Sequence, residues 1–77
     1  MDINEFVRTY FRLYYNGRKN KCIMIETRYN KIYKLIDFEI IEDINVIKVW
    51  LNDIENPNLR FFNLRDIISL YEVFNLE

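Results

Sequence analysis

Apolar residues along this chain keep two different periods, and the period changes just after residue 17. In DINEFVRTYFRLYYNG, residues 2–17, Ile3, Phe6, Val7, Tyr10, Phe11 and Tyr14 recur at three- and four-residue spacing, which places them on one stripe of a helix. Asp2 is positioned to cap the N-terminus with Glu5 three residues on, and Asn16-Gly17 supplies a left-handed stop. Beyond residue 20 the period becomes two. KCIMIETR puts Ile23 and Ile25 on one face, IYKLIDFEII carries Ile32, Tyr33, Leu35, Phe38 and Ile40, and VIKVWLN alternates Ile47, Val49 and Leu51. Tyr29-Asn30-Lys31 and the run 42–45 are polar connections of hairpin length, and NDIENPN around Pro57 is a longer turn, so the three strands form an antiparallel meander.

The stretch LRFFNLRDIISL, residues 59–70, fits both periods. Read as a strand, Leu59 and Phe61 alternate with Arg60 and Phe62. Read as a helix, Asn63 caps with Asp66 at the third position, and Leu64, Ile67, Ile68, Tyr71 and Phe74 form a buried stripe. A strand ending near Asn63 accommodates either continuation, a terminal helix over 64–75 or a short turn into a last strand.

Length confines these elements to a single domain, 1–77, because so short a chain buries only roughly 60% of its unfolded surface and supports one core. Six Tyr, six Phe and one Trp supply that core, yet no apolar run approaches the ~18 residues of a membrane span. The N-terminal MDINEF lacks the basic and apolar regions of a signal peptide, so a soluble, cytoplasmic setting is expected. Cys22 has no partner for an internal disulfide and no His to activate it, and is expected to be a small buried hydrophobe. The chain holds no His, Ala or Gln and is rich in Ile, Asn, Lys, Tyr and Phe, the bias of an A/T-rich gene from a low-GC bacterium, its viruses or its mobile elements.

The formal net charge of −1 conceals an asymmetry: residues 1–34 hold eight Lys/Arg against three Asp/Glu, and residues 35–77 hold three against nine. The fold is therefore electrically two-sided unless the halves interleave, in which case a basic first strand simply pairs with an acidic neighbour. Arg8, Arg12, Arg18, Lys19 and Lys21 gather around the end of the helix, where cations also suit the helix dipole. Asp37, Glu39, Glu42 and Asp43 line the solvent side of the following sheet, joined by Asp53 and Glu55 in the long turn.

Arg60-Phe61-Phe62-Asn63-Leu64-Arg65-Asp66-Ile67, followed by Ser69-Leu70, resembles the closing segment of WYL domains, which runs Arg, any, Phe, any, Leu, Asp, Arg, Ile before a last strand. IKVWLND lies where that family has its Trp-Tyr-Leu strand and CIMIETR where it has its first strand, with a helix before both. The sequence departs from the pattern in three places. Ile47-Lys48-Val49 replaces the name-giving tripeptide, Thr27 replaces the first-strand Tyr, and Arg65-Asp66 reverses the Asp-Arg order. The resemblance implies an α+β fold, an N-terminal amphipathic helix before a four- to five-stranded antiparallel sheet curled into an SH3/Sm-like barrel. Of the ligand-contacting residues it implies, only Arg60 carries over.

Without His and with a single Cys, the common catalytic triads, thiol sites and His/Cys zinc sites are excluded. The acidic run 37–43 lacks the spaced ligands and turn glycine of a calcium loop, and no glycine-rich phosphate loop is present. A non-enzymatic protein with no metal and no cofactor is therefore expected. Two functions remain. One is a protein-binding regulator, such as an anti-CRISPR or other anti-defence inhibitor from a virus or mobile element, whose acidic residues Asp37, Glu39, Glu42, Asp43, Asp53 and Glu55 occupy a basic groove of a host nucleic-acid-handling protein. The other is a WYL-like sensing module that holds a nucleotide or nucleic acid through Arg60 with Arg8, Arg12, Arg18, Lys19 and Lys21. No membrane partner is expected, and the many aromatics leave homo-oligomerisation open.

Overall fold

A computed structural model of the chain describes residues 1–16 and 21–74. It is α+β: helix α1 (Ile3–Tyr14) precedes five strands, β1 (Lys21–Thr27), β2 (Ile32–Ile41), β3 (Val46–Leu51), β4 (Asn58–Asn63) and β5 (Ile67–Phe74). Two single 3₁₀ turns, at Glu42–Ile44 and Leu64–Asp66, join β2 to β3 and β4 to β5. All pairings are antiparallel, in the order β4-β3-β2-β1-β5. No helix among the described residues is long and apolar enough to cross a membrane.

The helix begins where its capping signal places it. The Asp2 carboxylate accepts the Glu5 amide at 2.7 Å, and the last turn closes through Tyr15 N–H to the Phe11 carbonyl; the expected stop at Gly17 lies outside the described residues. The stripe that meets the sheet is narrower than the apolar pattern. Ile3, Phe6, Tyr10 and Leu13 pack on the core, whereas Phe11 and Tyr14 are about half exposed. Only a ~100° face of a single helix can touch one sheet. The rest of its aromatic surface stays in water.

Three turns need a residue at positive φ, and in a chain with one glycine each is an asparagine: Asn30 (58°), Asn45 (55°) and Asn52 (74°). Asparagine tolerates the left-handed region because its short side chain bonds locally. Asn52 also ties its turn to β2, its Oδ1 accepting the Lys34 amide at 3.3 Å.

The ambiguous segment resolves into both of its halves, and the second-helix reading of 64–75 is overturned. The Asn63 side chain does cap, accepting the Arg65 amide at 3.2 Å, but the helix it starts lasts one turn. Ile67, Ile68 and Val73 are β-branched, and Leu70 is buried opposite Ile25 of β1. Strand pairing to β1 outweighs the local helix signal.

That turn also sets the shape of the sheet. Edge strands of a flat five-stranded sheet lie about 19 Å apart, yet three residues of 3₁₀ turn, rising about 6 Å, carry the chain from the β4 edge to the β5 edge. The sheet is therefore strongly curled, and Tyr33 at the start of β2 reaches Phe62 at the end of β4, ring centres 5.9 Å apart. It is not closed: the strand order leaves β4 and β5 as its two edges. Inside the curl Ile25, Ile47, Val49, Leu51, Leu64 and Ile67 are essentially inaccessible, and Phe6 of α1 completes this core, its ring edge-on to Phe38 at 5.0 Å. Burying such a ring is worth about 1.5–3 kcal/mol.

Candidate interaction surface

β2, β3 and β4 have a second face, turned away from α1. A bulge in β2 at Ile36 sets its phase, so that Phe38 and Ile40 face the core with Val49 and Ile47, while Asp37, Glu39 and Ile41 face outward. Across the ladder the outward residues form three rows: Asp37–Trp50–Leu59, Glu39–Lys48–Phe61 and Ile41–Val46–Asn63. Leu59 and Phe61 are 47% and 58% exposed, and Trp50 and Val46 are half-buried. The Lys48 ammonium lies 5.0 Å from the Trp50 ring centre and 6.0 Å from that of Phe61, a cation–π bridge that holds the two rings side by side. The result is an aromatic ridge on β3 and β4 with two carboxylates, Asp37 and Glu39, along one flank.

All six acidic positions are exposed, in a line rather than a cluster. Asp37 and Glu39 sit mid-face on β2, Glu42 and Asp43 in the turn at one end of β3, and Asp53 and Glu55 in the loop at the other. The strand between those ends spans roughly 20 Å. Asp37 accepts the Phe38 amide and Asp53 the Glu55 amide, local bonds that fix both carboxylates facing solvent. No group of three His, Cys, Asp or Glu side chains among the described residues is arranged to hold a metal ion.

The basic set is dispersed. Arg8 and Arg12 are exposed on α1, and Arg18 and Lys19 lie outside the described residues. Lys21 is withdrawn from solvent: its ammonium donates to the Leu13 and Tyr14 carbonyls and to Asn16 Oδ1 at the helix end, and lies 4.0 Å from Glu72. Arg60 is exposed and stands opposite Val49, on the α1 side of β4. A pairing of Arg60 with Asp66 is not formed, because Arg28 takes that carboxylate at 3.1 Å and donates its backbone N–H to the Asp66 carbonyl as well. Both ion pairs, Lys21–Glu72 and Arg28–Asp66, join the basic first half of the chain to the acidic second half. β1 lies between β2 and β5, so the two halves of the chain interleave at these pairs.

Cys22 is half-buried rather than buried, since it falls on the outer phase of β1 opposite Val73. It edges a cleft of about 280 Å³ between the end of α1 and β1–β2, walled by Tyr10, Tyr14, Ile23, Leu35 and Ile54. Burial raises the Tyr10 hydroxyl pKa above its usual value, and the nearby Asp37 charge raises it further.

The aromatic ridge is the feature that reading residue by residue missed. Its signal is present: in VIKVWL and NLRFF both phases of the alternation carry large apolar residues, which a strand covered on one face does not need. No protein-family model matches this chain, and neither does any curated protein or solved structure.

Proposed function

We propose that this chain is a small non-enzymatic protein-binding regulator, of the kind a virus or mobile element directs against a nucleic-acid-handling protein of its host. The observation that carries the reading is the uncovered Trp50–Lys48–Phe61 ridge flanked by Asp37 and Glu39. Rigid aromatics and a long apolar stem are the side chains that dominate protein interfaces. Carboxylates beside them suit a basic groove and speed its encounter, an effect that weakens as salt rises. The same surface suits a nucleic acid poorly, because its own phosphates would face that carboxylate line.

The reading is tested by capture of tagged protein's partners from host lysate with and without nuclease. A stoichiometric protein partner in both samples, lost with Asp37→Lys/Glu39→Lys, is the expected result. Recovery of nucleic acid, or of partners that vanish with nuclease, overturns it. The finer fold reading, an open SH3/Sm-like barrel, is supported by the strand order and the curl of the sheet.

A second reading, ligand sensing in the WYL manner, is favoured by one observation: Arg60 is exposed and Asp66 is already held by Arg28. Under that reading Arg60→Ala abolishes nucleotide or oligonucleotide binding without loss of fold. Under the first it leaves partner capture unchanged.

A further inference from the structure

The two edges of the sheet are treated differently by the rest of the chain. Edge strands expose unpaired backbone donors and acceptors, and proteins blunt them with charges, proline, bulges or a covering element. β5 carries such protection along its length. α1 packs beside it, the Met1 ammonium caps the Ile67 carbonyl at 3.3 Å, Glu72 accepts from Asn16 of the helix end, and a bulge at Ile68 breaks its outline. β4 carries almost none. Among the described residues it pairs only with β3, holds no bulge and no proline between Asn58 and Asn63, and has one charged side chain, Arg60, between the exposed Leu59 and Phe61.

We propose that β4 is a self-association edge, pairing antiparallel with the β4 of a second copy to form a continuous ten-stranded sheet. The sequence of β4 favours its own kind in one register. In a two-fold antiparallel pair, opposed residues must share a face, so the axis passes through a single residue type. An axis at Arg60 sets Arg60 against Arg60, two like charges directly opposed. An axis at Phe61 sets Phe61 against Phe61, Leu59 against Asn63, and Arg60 against the ring of Phe62. This register opposes no like charges and adds a cation–π contact on the α1 side. It also joins the two outer ridges edge to edge, so the dimer presents two copies of the surface proposed above on one face. Six residues a side make a contact smaller than the ~1,200 Å² of a stable interface, so the dimer is weak and concentration-dependent.

Sedimentation equilibrium from low micromolar to millimolar protein, with site-directed crosslinking, decides the matter. Directly opposed strand residues have Cα atoms about 4.5–5.5 Å apart, within disulfide reach, whereas diagonal neighbours at about 7–8 Å are beyond it. In a Cys22→Ser background, Phe61→Cys should give an oxidised dimer and Arg60→Cys should not. The dimer of the native chain should disappear with Phe61→Lys, an exposed position whose change leaves the circular dichroism spectrum intact. A monomer at every concentration overturns the proposal. So does a dimer that survives Phe61→Lys, or one that crosslinks through Arg60→Cys instead.

Discussion

One sheet in this molecule has a fastened side and a bare side. At β1 and β5 the helix lies against the strands, Lys21 ties the helix end to Glu72, and Arg28 grips Asp66 through side chain and backbone. On the outer face of β3 and β4, Leu59 and Phe61 are exposed and Trp50 is half-buried, beside Asp37 and Glu39. A domain of 77 residues has little apolar surface to give away. Aromatics are exposed on the helix as well, at Phe11, Tyr14 and Tyr15, but those of β3 and β4 share one strand face with two carboxylates. The inner phases of β1, β3 and β5 all build the core, Ile47, Val49 and Leu51 included, so the two sides differ in their outer faces and edges, and the proposed recognition falls on the bare one.

Substitutions should separate the two sides by the size of their effect. The largest loss is expected at Phe6, which is fully buried against Phe38: Phe6→Ala should cost about 3–5 kcal/mol in urea denaturation, enough to unfold much of so small a domain. Next comes Asn45, whose positive φ sets the turn from which its carbonyl accepts the Leu64 amide at 3.0 Å. Asn45→Ala should cost about 1–2 kcal/mol and Asn45→Gly far less, because only the former forces a Cβ into the left-handed region. Arg28→Ala removes an ion pair whose cation is more than half exposed, and should cost under ~1 kcal/mol, less in high salt.

Tyr10 gives a smaller effect, confined to alkaline solution. Burial first, and then the Asp37 charge, raise its hydroxyl pKa above the ordinary 10.0, so the folded state keeps a proton that the unfolded chain releases. That contribution is complete below pH 10 and is lost as pH rises through the raised folded value. Tyr10→Phe should flatten the alkaline limb of the stability profile and leave the neutral region unchanged. The smallest change in stability belongs to the bare side: Phe61→Lys should stay within about 0.5 kcal/mol of the native chain while association is lost. A large destabilisation there would mean that the ridge serves the core after all.

Much of the fold was legible because local and tertiary signals agreed. Asp2 and Glu5 announce the helix start, and the period-two runs at Ile23–Ile25 and Ile47–Leu51 become β1 and β3 with their buried phase as read. Three turns fall on Asn30, Asn45 and Asn52, where polar connections stood in the sequence. Legibility failed where the deciding partner was distant. Nothing local says that Ile67 and Leu70 will lie on β1 rather than continue the helix that Asn63 begins, or that Arg28, 38 residues away, will pair with Asp66. Lys21 read as part of a basic patch because its use as the anchor of the helix end depends on how β1 returns beside α1. The acidic positions were legible as solvent-facing and illegible as a line, since that follows from the length of β3 between two turns.

The most direct test of a bare edge facing a fastened one is amide hydrogen exchange at two protein concentrations. At low concentration the outward amides of β4 should exchange much faster than those of β5, and at high concentration protection should rise in β4 alone. Equal protection of β4 and β5 at both concentrations would contradict the account, because it would mean that the β4 edge is already covered within the monomer.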